Sequence, residues 1–181
     1  MLLFFRMNKL VVLSGVPGSG KSYFSKTIKK VKDSHVYVVS SDELRAMIGG
    51  SQSNISNEDL VWPIFYGLAK AYAKDPDGIV VLDATHVSTK HRVDDNREIA
   101  KLFNEVDLVM WHIDKQIVSN QNLQREYPIA PQVLDRFFEI FELPNEIDKA
   151  FFDKIIVIEN SDIAPAIEAI VGKKEIKDLP L

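Results

Sequence analysis

The chain of 181 residues contains no cysteine, only four histidines and no long apolar run. Without cysteine it has no disulfide bond, no thiolate zinc site and no cysteine nucleophile. The histidines are scattered, and no two lie four residues apart as in a helical metal site, so a tight transition-metal site is not expected. The apolar stretch at residues 1–5 is far too short for a signal peptide or a membrane span. We therefore expect a cytoplasmic protein without a membrane anchor.

The chain also lacks an excess of positive charge: it has 22 Lys and Arg against 26 Asp and Glu, so the formal net charge is −4 at pH 7. A protein that binds a long nucleic acid usually presents a basic face, since neutralisation of phosphates drives that binding. The densest basic runs, at residues 26–32 and 173–177, are typical of solvated helix faces. We expect no extended DNA-binding surface, although a local groove for a short strand stays open.

Strand-like and helical segments alternate along a chain whose length fits one domain. Strands are predicted at 10–14, 35–40, 79–82, 106–113 and 155–158, and helices at 20–32, 42–48, 57–74, 89–104, 115–126, 131–142 and 163–171. The unbroken apolar runs 79–82 and 155–158 are typical of parallel strands covered on both faces. The pattern predicts an α/β fold, a doubly wound parallel five-stranded sheet with helices on both faces.

We expect one domain over residues 9–172, with a helical lid at about 115–131. Residues 1–8 are predicted to be an N-terminal extension and residues 173–181 a C-terminal tail.

Residues 15–22 read G-V-P-G-S-G-K-S and match the phosphate-binding P-loop pattern G-x-x-x-x-G-K-S. An apolar strand-like run precedes the loop, and a helical pattern follows it. In that context consecutive backbone N–H groups and the helix N-terminus surround a triphosphate. Lys21 would reach the β- and γ-phosphates, and Ser22 would hold Mg²⁺. The residues expected to contact the nucleotide are Gly15, Pro17, Gly18, Ser19, Gly20, Lys21, Ser22 and Tyr23.

A first polar cluster, residues 41–45 with the sequence S-D-E-L-R, directly follows the second predicted strand. Ligands of open α/β sheets gather at the carboxyl ends of the strands. Asp42 and Arg45 share a helix face at i, i+3 spacing. Asp42 would accept the proton of an attacking hydroxyl, and Arg45 would hold an acceptor phosphate. The alternative is a helix cap at Ser41 or Asp42 beside a solvated arginine.

A second cluster, residues 83–86 with the sequence D-A-T-H, follows the third predicted strand. An acidic residue at the end of a buried strand resembles a Walker B carboxylate, so Asp83 would assist Mg²⁺ directly or through water. The alternative is a turn or capping aspartate. A lone histidine in a turn, such as His86, is more typical of polar surface than of a substrate contact.

A third cluster surrounds Arg125, in a predicted connection between two helices. A mobile lid brings an arginine onto the transferring phosphoryl group and excludes water. An ordinary exposed helix connection is the alternative.

The order of these motifs resembles the P-loop kinases related to polynucleotide 5′-hydroxyl kinase, a group that includes zeta-toxin-like and chloramphenicol phosphotransferase-like relatives. Members share G-x-P-G-S-G-K-S, then S/R-D-D/E-x-R, then D-x-T/N-N/H with a later arginine, then an arginine-bearing lid before P-x-x-V-L. The chain has these features at residues 15–22, at 41–45, at 83–86 with Arg92, and at Arg125 before residues 131–134.

The resemblance implies that Asp42 is the general base and that Arg45 binds a phosphate of the acceptor. It implies that Arg125 clamps the donor phosphates, and that Asp83 and Thr85 lie near the acceptor and the metal. Two departures stand out. Relatives often carry a second lid arginine where this chain has Gln121, so either the lid contributes less charge or Lys115 compensates from the preceding turn. Some nucleic-acid kinases carry a basic residue at the position of Ser41.

The implied reaction is in-line transfer of the γ-phosphoryl group of Mg²⁺-ATP to a hydroxyl. The first candidate acceptor is the 5′-hydroxyl of a short or single-stranded nucleic acid. A small molecule such as a sugar, nucleoside, antibiotic or nucleotide-sugar is the alternative, and an NTP-hydrolysing switch ATPase is a third reading. Aromatics at helical spacing are typically core residues, although four of them would also stack a base: Trp62, Phe65, Tyr66 and Tyr72.

Overall fold

The computed structural model describes residues 7–32, 34–160 and 162–172. The predicted C-terminal tail at 173–181 lies outside the described residues, as do the first six residues of the predicted N-terminal extension. Asn8 belongs to the folded body: it is buried, and its side-chain amide donates to the carbonyls of Ala73 and Leu102, at 3.0 Å each.

Five parallel strands form one sheet. They are β1 Lys9–Ser14, β2 Val36–Ser40, β3 Ile79–Asp83, β4 Glu105–Trp111 and β5 Lys154–Ile158. Their order is β2-β3-β1-β4-β5, and every neighbouring pair is parallel. This confirms the predicted fold class. β1 lies at the centre between β3 and β4, so the segment that follows it leaves the sheet where such folds bind ligands.

The helices are α1 Lys21–Val31, α2 Ser41–Gly49, α3 Glu58–Tyr72, α4 Arg97–Ala100, α5 Lys115–Leu123, α6 Pro131–Ile140, α7 Glu146–Phe151 and α8 Ala164–Val171. The sheet has a core on each face, because successive side chains of a strand point to opposite sides. Leu10 and Val12 of β1 pack with Phe65 of α3, whereas Leu13 packs with Phe24 of α1 on the other face.

The predicted helix at 89–104 is wrong. This segment contains a π-helical turn, Lys90–Asp94, and then the short α4. The buried side-chain amide of Asn96 donates to the carbonyls of His91 and Arg92, at 2.9 and 3.1 Å. This side chain therefore forms hydrogen bonds with backbone carbonyls of the preceding turn.

Helix α7 was not predicted. Asn145 caps it, and its side chain accepts from the backbone N–H groups of Ile147 and Asp148 while the Asp148 side chain accepts from the N–H of Asn145.

Within the three described ranges, no helix combines the length and the apolar character needed to cross a membrane.

Candidate active site

The loop after β1 has a backbone that requires glycine. Gly18 and Gly20 have φ values of 83° and 110°, in the left-handed region that side chains disfavour. Gly20 directly precedes α1, and the Gly15 N–H donates to the Thr85 carbonyl at 2.9 Å. The loop therefore leads into a helix N-terminus and is fastened to the end of β3.

Lys21 is buried under this loop. Its amine donates to the carbonyls of Gly15 and Val16, at 2.8 and 2.9 Å. Burial lowers the pKa of Lys21 to about 8, against the opposing charges of Asp83 and Asp42. The lysine amine that binds phosphate in P-loops therefore lies within electrostatic reach of both candidate carboxylates.

The loop also fits an anionic ligand. The Ser19 hydroxyl is buried and has no hydrogen-bond partner among the described residues, which costs free energy unless a ligand or water supplies one. A Cβ at Gly15 would lie 2.8 Å from this hydroxyl and 3.1 Å from Trp111, so the absence of a side chain leaves the space open. Of the other predicted contacts, Pro17 is buried and Tyr23 is exposed.

Asp83, at the end of β3, is buried and accepts hydrogen bonds from the hydroxyls of Ser22 and of Ser25, the latter at 3.1 Å. Burial raises its pKa, against the charge of Lys21. In the described ranges no three His, Cys, Asp or Glu side chains cluster to hold a metal. Mg²⁺ keeps water and substrate phosphate as most of its ligands and takes only one or two oxygens from the protein. Ser22 and Asp83 would hold it.

Asp42 and Arg45 occupy the first turns of α2. Ser40 caps this helix by accepting from the Glu43 N–H, so neither Ser41 nor Asp42 is the cap. The Arg45 guanidinium lies 2.8 Å from Asp42, which confirms the shared face. Arg45 is not solvated as the alternative required: it also donates to both carboxylate oxygens of Glu58 on α3, at 2.6 and 3.0 Å.

His86 is buried, so the interpretation as polar surface is wrong. Its Nδ1 lies 2.8 Å from the Leu13 carbonyl and therefore donates, and its own carbonyl accepts from Ser14 at 2.8 Å. Burial lowers the pKa of His86 to about 4, which keeps the imidazole neutral. Its backbone has a φ of 37°. With the half-buried Thr85 beside it, His86 fastens the end of β3 to the end of β1.

The lid begins with α5, which packs on the P-loop: a Cβ at Gly18 would lie 3.5 Å from Val118. Asn122 is buried and closes the following turn, because its side chain both donates to and accepts from the Ile129 backbone, at 2.8 and 3.0 Å. Arg125 in this turn is half-buried, and its charge contributes to lowering the pKa of Lys21. The Asn122 Cβ lies 3.8 Å from the position of a Cβ at Gly18, so the turn that carries the predicted lid arginine adjoins the P-loop.

Lys115, the residue expected to compensate for the second lid arginine, pairs with Asp135 on α6 at 2.9 Å, and both side chains are exposed. Gln121, at the position of that arginine, has a buried carbonyl oxygen that lacks a partner in the described part of the chain.

Two residues of the site were missed. Ser25 lies three residues after Ser22 on one helix face, a spacing that would have indicated it. Glu58 lies in no recognisable motif.

Residues 10–144 match the AAA domain family. Among solved structures, a gluconokinase from Sinorhizobium meliloti 1021 is 21% identical with a TM-score of 0.60, over 93% of this chain and 91% of that one. The Mycobacterium tuberculosis APS kinase CysC, in complex with AMPPNP and APS, is 17% identical with a TM-score of 0.60, over 91% of this chain and 96% of that one.

The Pnkp1/Rnl/Hen1 RNA repair complex contains a chain 16% identical with a TM-score of 0.61, over 84% of this chain and 48% of that one. Identities this low establish a shared fold and no shared substrate. The fold is that of P-loop kinases, and the match over residues 10–144 establishes that the chain belongs to the AAA domain family.

Proposed function

We propose that the protein is a kinase that transfers the γ-phosphoryl group of ATP to a hydroxyl with the help of Mg²⁺. One observation carries the proposal. Ser40 pairs with Asp83 across β2 and β3, so Asp42, two residues further on in the first turn of α2, lies at the same end of the sheet as Asp83 and the P-loop. A hydroxyl between them would have its base and its phosphoryl donor in one place.

Each residue then has a role in a reaction that needs mainly positioning and neutralisation of charge. The loop N–H groups and the Ser19 hydroxyl would bind phosphate oxygens. Lys21 and Arg125 would neutralise the charge that develops on the transferred group and on the leaving ADP. Asp42 would accept the hydroxyl proton. Bound Mg²⁺, held through Ser22 and Asp83, supplies further neutralisation of the phosphate oxygens.

Two acceptor classes follow from the observations above. The order of the motifs and the likeness to the RNA repair chain support a nucleic-acid 5′-hydroxyl. The likeness to the gluconokinase and the formal net charge of −4 support a small molecule. A switch ATPase needs no base directed at a hydroxyl, so the position of Asp42 speaks against it.

The experiment is transfer of labelled γ-phosphate from ATP with Mg²⁺ to 5′-hydroxyl DNA and RNA oligonucleotides and to a panel of sugars, nucleosides and aminoglycosides, beside a control without acceptor. We expect the label to be transferred to one acceptor class, and we expect this transfer to require Lys21. Label released only as free phosphate, whichever acceptor is present, would contradict the kinase and favour the switch.

A further inference from the structure

Four of the five N–H groups of the Arg45 guanidinium donate hydrogen bonds within the protein. Its Nε and Nη2 donate to the two oxygens of Glu58, at 2.6 and 3.0 Å. Its Nη1 donates to Asp42 at 2.8 Å and to the Ser41 hydroxyl at 3.3 Å. Only 14% of the side chain is exposed, and the Trp62 ring lies 5.8 Å from the guanidinium carbon.

This pairing decides what else Arg45 binds. Arginine has five N–H groups and takes a phosphate through two parallel ones. Glu58 accepts from Nε and Nη2 in that bidentate manner, and Asp42 and Ser41 both accept from Nη1. The hydrogen bonds from Arg45 also hold the pKa of Glu58 below its ordinary value. A phosphate that binds Arg45 through two parallel N–H groups would therefore have to displace either Glu58 or the oxygens of Asp42 and Ser41.

The local charge opposes that displacement. Asp42 and Glu58 carry two negative charges around the single positive charge of Arg45. Glu43 and Asp59 add exposed carboxylates in the first turns of α2 and α3. The cationic groups Lys21 and Arg125 belong to the donor side. An anionic acceptor group beside Asp42 would meet repulsion that a neutral one does not.

We propose that Glu58 determines acceptor specificity: it closes Arg45 to anions, so the reacting hydroxyl belongs to a molecule without an anionic group beside it, such as a polyol, sugar or nucleoside. The transfer itself rests on the proposed function. The acceptor oxygen bonds to the γ-phosphorus, the bond from that phosphorus to the β–γ bridging oxygen breaks, the proton passes to Asp42, and ADP leaves. The blocking of Arg45 by Glu58, called here the closure of Arg45, does not depend on the reaction.

A binding experiment tests the closure without any turnover. The chain has two tryptophans, so Trp111→Phe leaves Trp62, beside Arg45, as the only tryptophan, which is excited selectively at wavelengths where tyrosine does not absorb. The protein is saturated with Mg²⁺-ADP to fill the P-loop and is then titrated with inorganic phosphate.

We expect no saturable change in this parent, a saturable change with Glu58→Gln or Glu58→Ala, and its loss when Arg45→Ala is added. Asp59→Asn, which removes the same charge one residue away, is the matched control and should behave like the parent. Saturable phosphate binding by the parent that Arg45→Ala removes would overturn the proposal. Absence of binding in folded Glu58→Gln and Glu58→Ala would overturn it as well.

A transfer experiment tests the acceptor class with two matched pairs, thymidine against thymidine 3′-phosphate and glycerol against glycerol 3-phosphate. We expect kcat/KM to favour the uncharged member of a pair by about tenfold or more, the range of a charge-assisted hydrogen bond, and Glu58→Gln to narrow the difference. Preference of the wild type for a phosphorylated member would overturn the proposal. If the phosphate titration behaves as expected but no label reaches any acceptor, including the wider panel, the proposed kinase function fails and the closure of Arg45 stands.

Discussion

The guanidinium of Arg92 donates to both carboxylate oxygens of Asp148, at 2.7 and 2.9 Å, and neither side chain is exposed to solvent. Arg92 also donates to the carbonyls of Val87 and Glu142, at 3.3 and 2.8 Å. The pair therefore ties α7 to the segment directly after β3. β3 ends at Asp83, so the pair holds a segment that leaves the sheet from the strand carrying this site residue.

Asp148→Asn should lower the free energy of unfolding by about 3–5 kcal/mol, because it leaves a buried guanidinium without its counter-charge. Urea unfolding followed by circular dichroism measures this. Asp94→Asn is the control, since it breaks the exposed pair with Arg97 at 3.1 Å and should change stability by no more than about 0.5 kcal/mol. Equal losses in the two variants would show that the buried pair does not stabilise the fold.

The same pair predicts an acid-sensitive contribution to stability. Burial alone would raise the pKa of Asp148, but hydrogen bonds from Arg92 and from the Asn145 N–H hold it below its ordinary value. A carboxyl with a lower pKa in the folded protein stabilises it above the unfolded pKa of about 3.9, and this stabilisation is lost as pH falls through the folded pKa. Between neutral pH and about pH 3, the difference in unfolding free energy between wild type and Asp148→Asn should therefore shrink. A constant difference over that range would contradict the assignment.

Much of this architecture follows from local sequence. β1 and β3 are buried apolar runs, and the P-loop is fixed by glycines at positions with positive φ, so both are visible in the order of residues alone. The expectation that residues 155–158 are covered on both faces is wrong, because β5 is an edge strand and Val157 is exposed. Asp42 and Arg45 were predicted to share a face from their spacing, and their 2.8 Å ion pair confirms it. These features depend on neighbours within a few residues.

The features that sequence reasoning missed depend on contacts between distant segments. The segment 89–104 is broken because the Asn96 side chain binds carbonyls of the preceding turn and Arg92 turns inward to reach α7. His86 is buried because β1 supplies a carbonyl to its ring. Glu58 meets Arg45 across 13 residues and a connection between two helices, where no periodicity applies.

The affinity for Mg²⁺-ADP should decrease as pH rises above about 8. Burial lowers the pKa of Lys21 to about 8, so the amine loses its charge from that pH upward. A phosphate binds the protonated amine more tightly, and the dissociation constant should increase towards pH 9.5. Calorimetric titration from pH 6.5 to 9.5 measures it. Lys21→Arg, which stays charged over this range, should bind with little pH dependence. A decrease of the same steepness in Lys21→Arg would assign the titration to another group.

Without nucleotide, the same group predicts an alkaline effect on stability. The pKa of Lys21 is lower in the folded protein than the value of about 10.4 for an unfolded chain, so the unfolded state binds more protons between the two values. The contribution of Lys21 to stability should therefore rise from about pH 8 to about pH 10. Comparison of wild type with Lys21→Met by urea unfolding isolates it. A difference that does not change with pH would contradict the buried environment of the amine.

Asp42→Asn should lower the rate of phosphoryl transfer by about 10²–10⁴-fold, the ordinary contribution of a general base, while Mg²⁺-ATP binding stays near that of the wild type. Glu43→Gln, an exposed neighbour on the same helix, is the matched control and should keep the wild-type rate. If the Asp42→Asn variant transferred phosphate at the wild-type rate, Asp42 would not be the general base. Loss of transfer with retained ATP hydrolysis would show that water still reacts where the acceptor no longer does.

Arg125→Ala tests the lid. Its charge contributes to lowering the pKa of Lys21, and Asn122 holds the turn that carries it, so Arg125 is positioned to neutralise the phosphoryl group in transfer. We expect kcat to fall by about a hundredfold or more, as for other groups that act on transition-state charge, with a much smaller change in the dissociation constant of Mg²⁺-ADP. Arg125→Lys should recover only part of the rate, because lysine keeps the charge without the planar fork.

Arg136→Ala, on the exposed face of α6, controls for the loss of a positive charge from the lid region. If Arg125→Ala weakened nucleotide binding as much as it lowered kcat, the arginine would act on the bound ground state, and Lys21 alone would remain as the cation specific to the transition state.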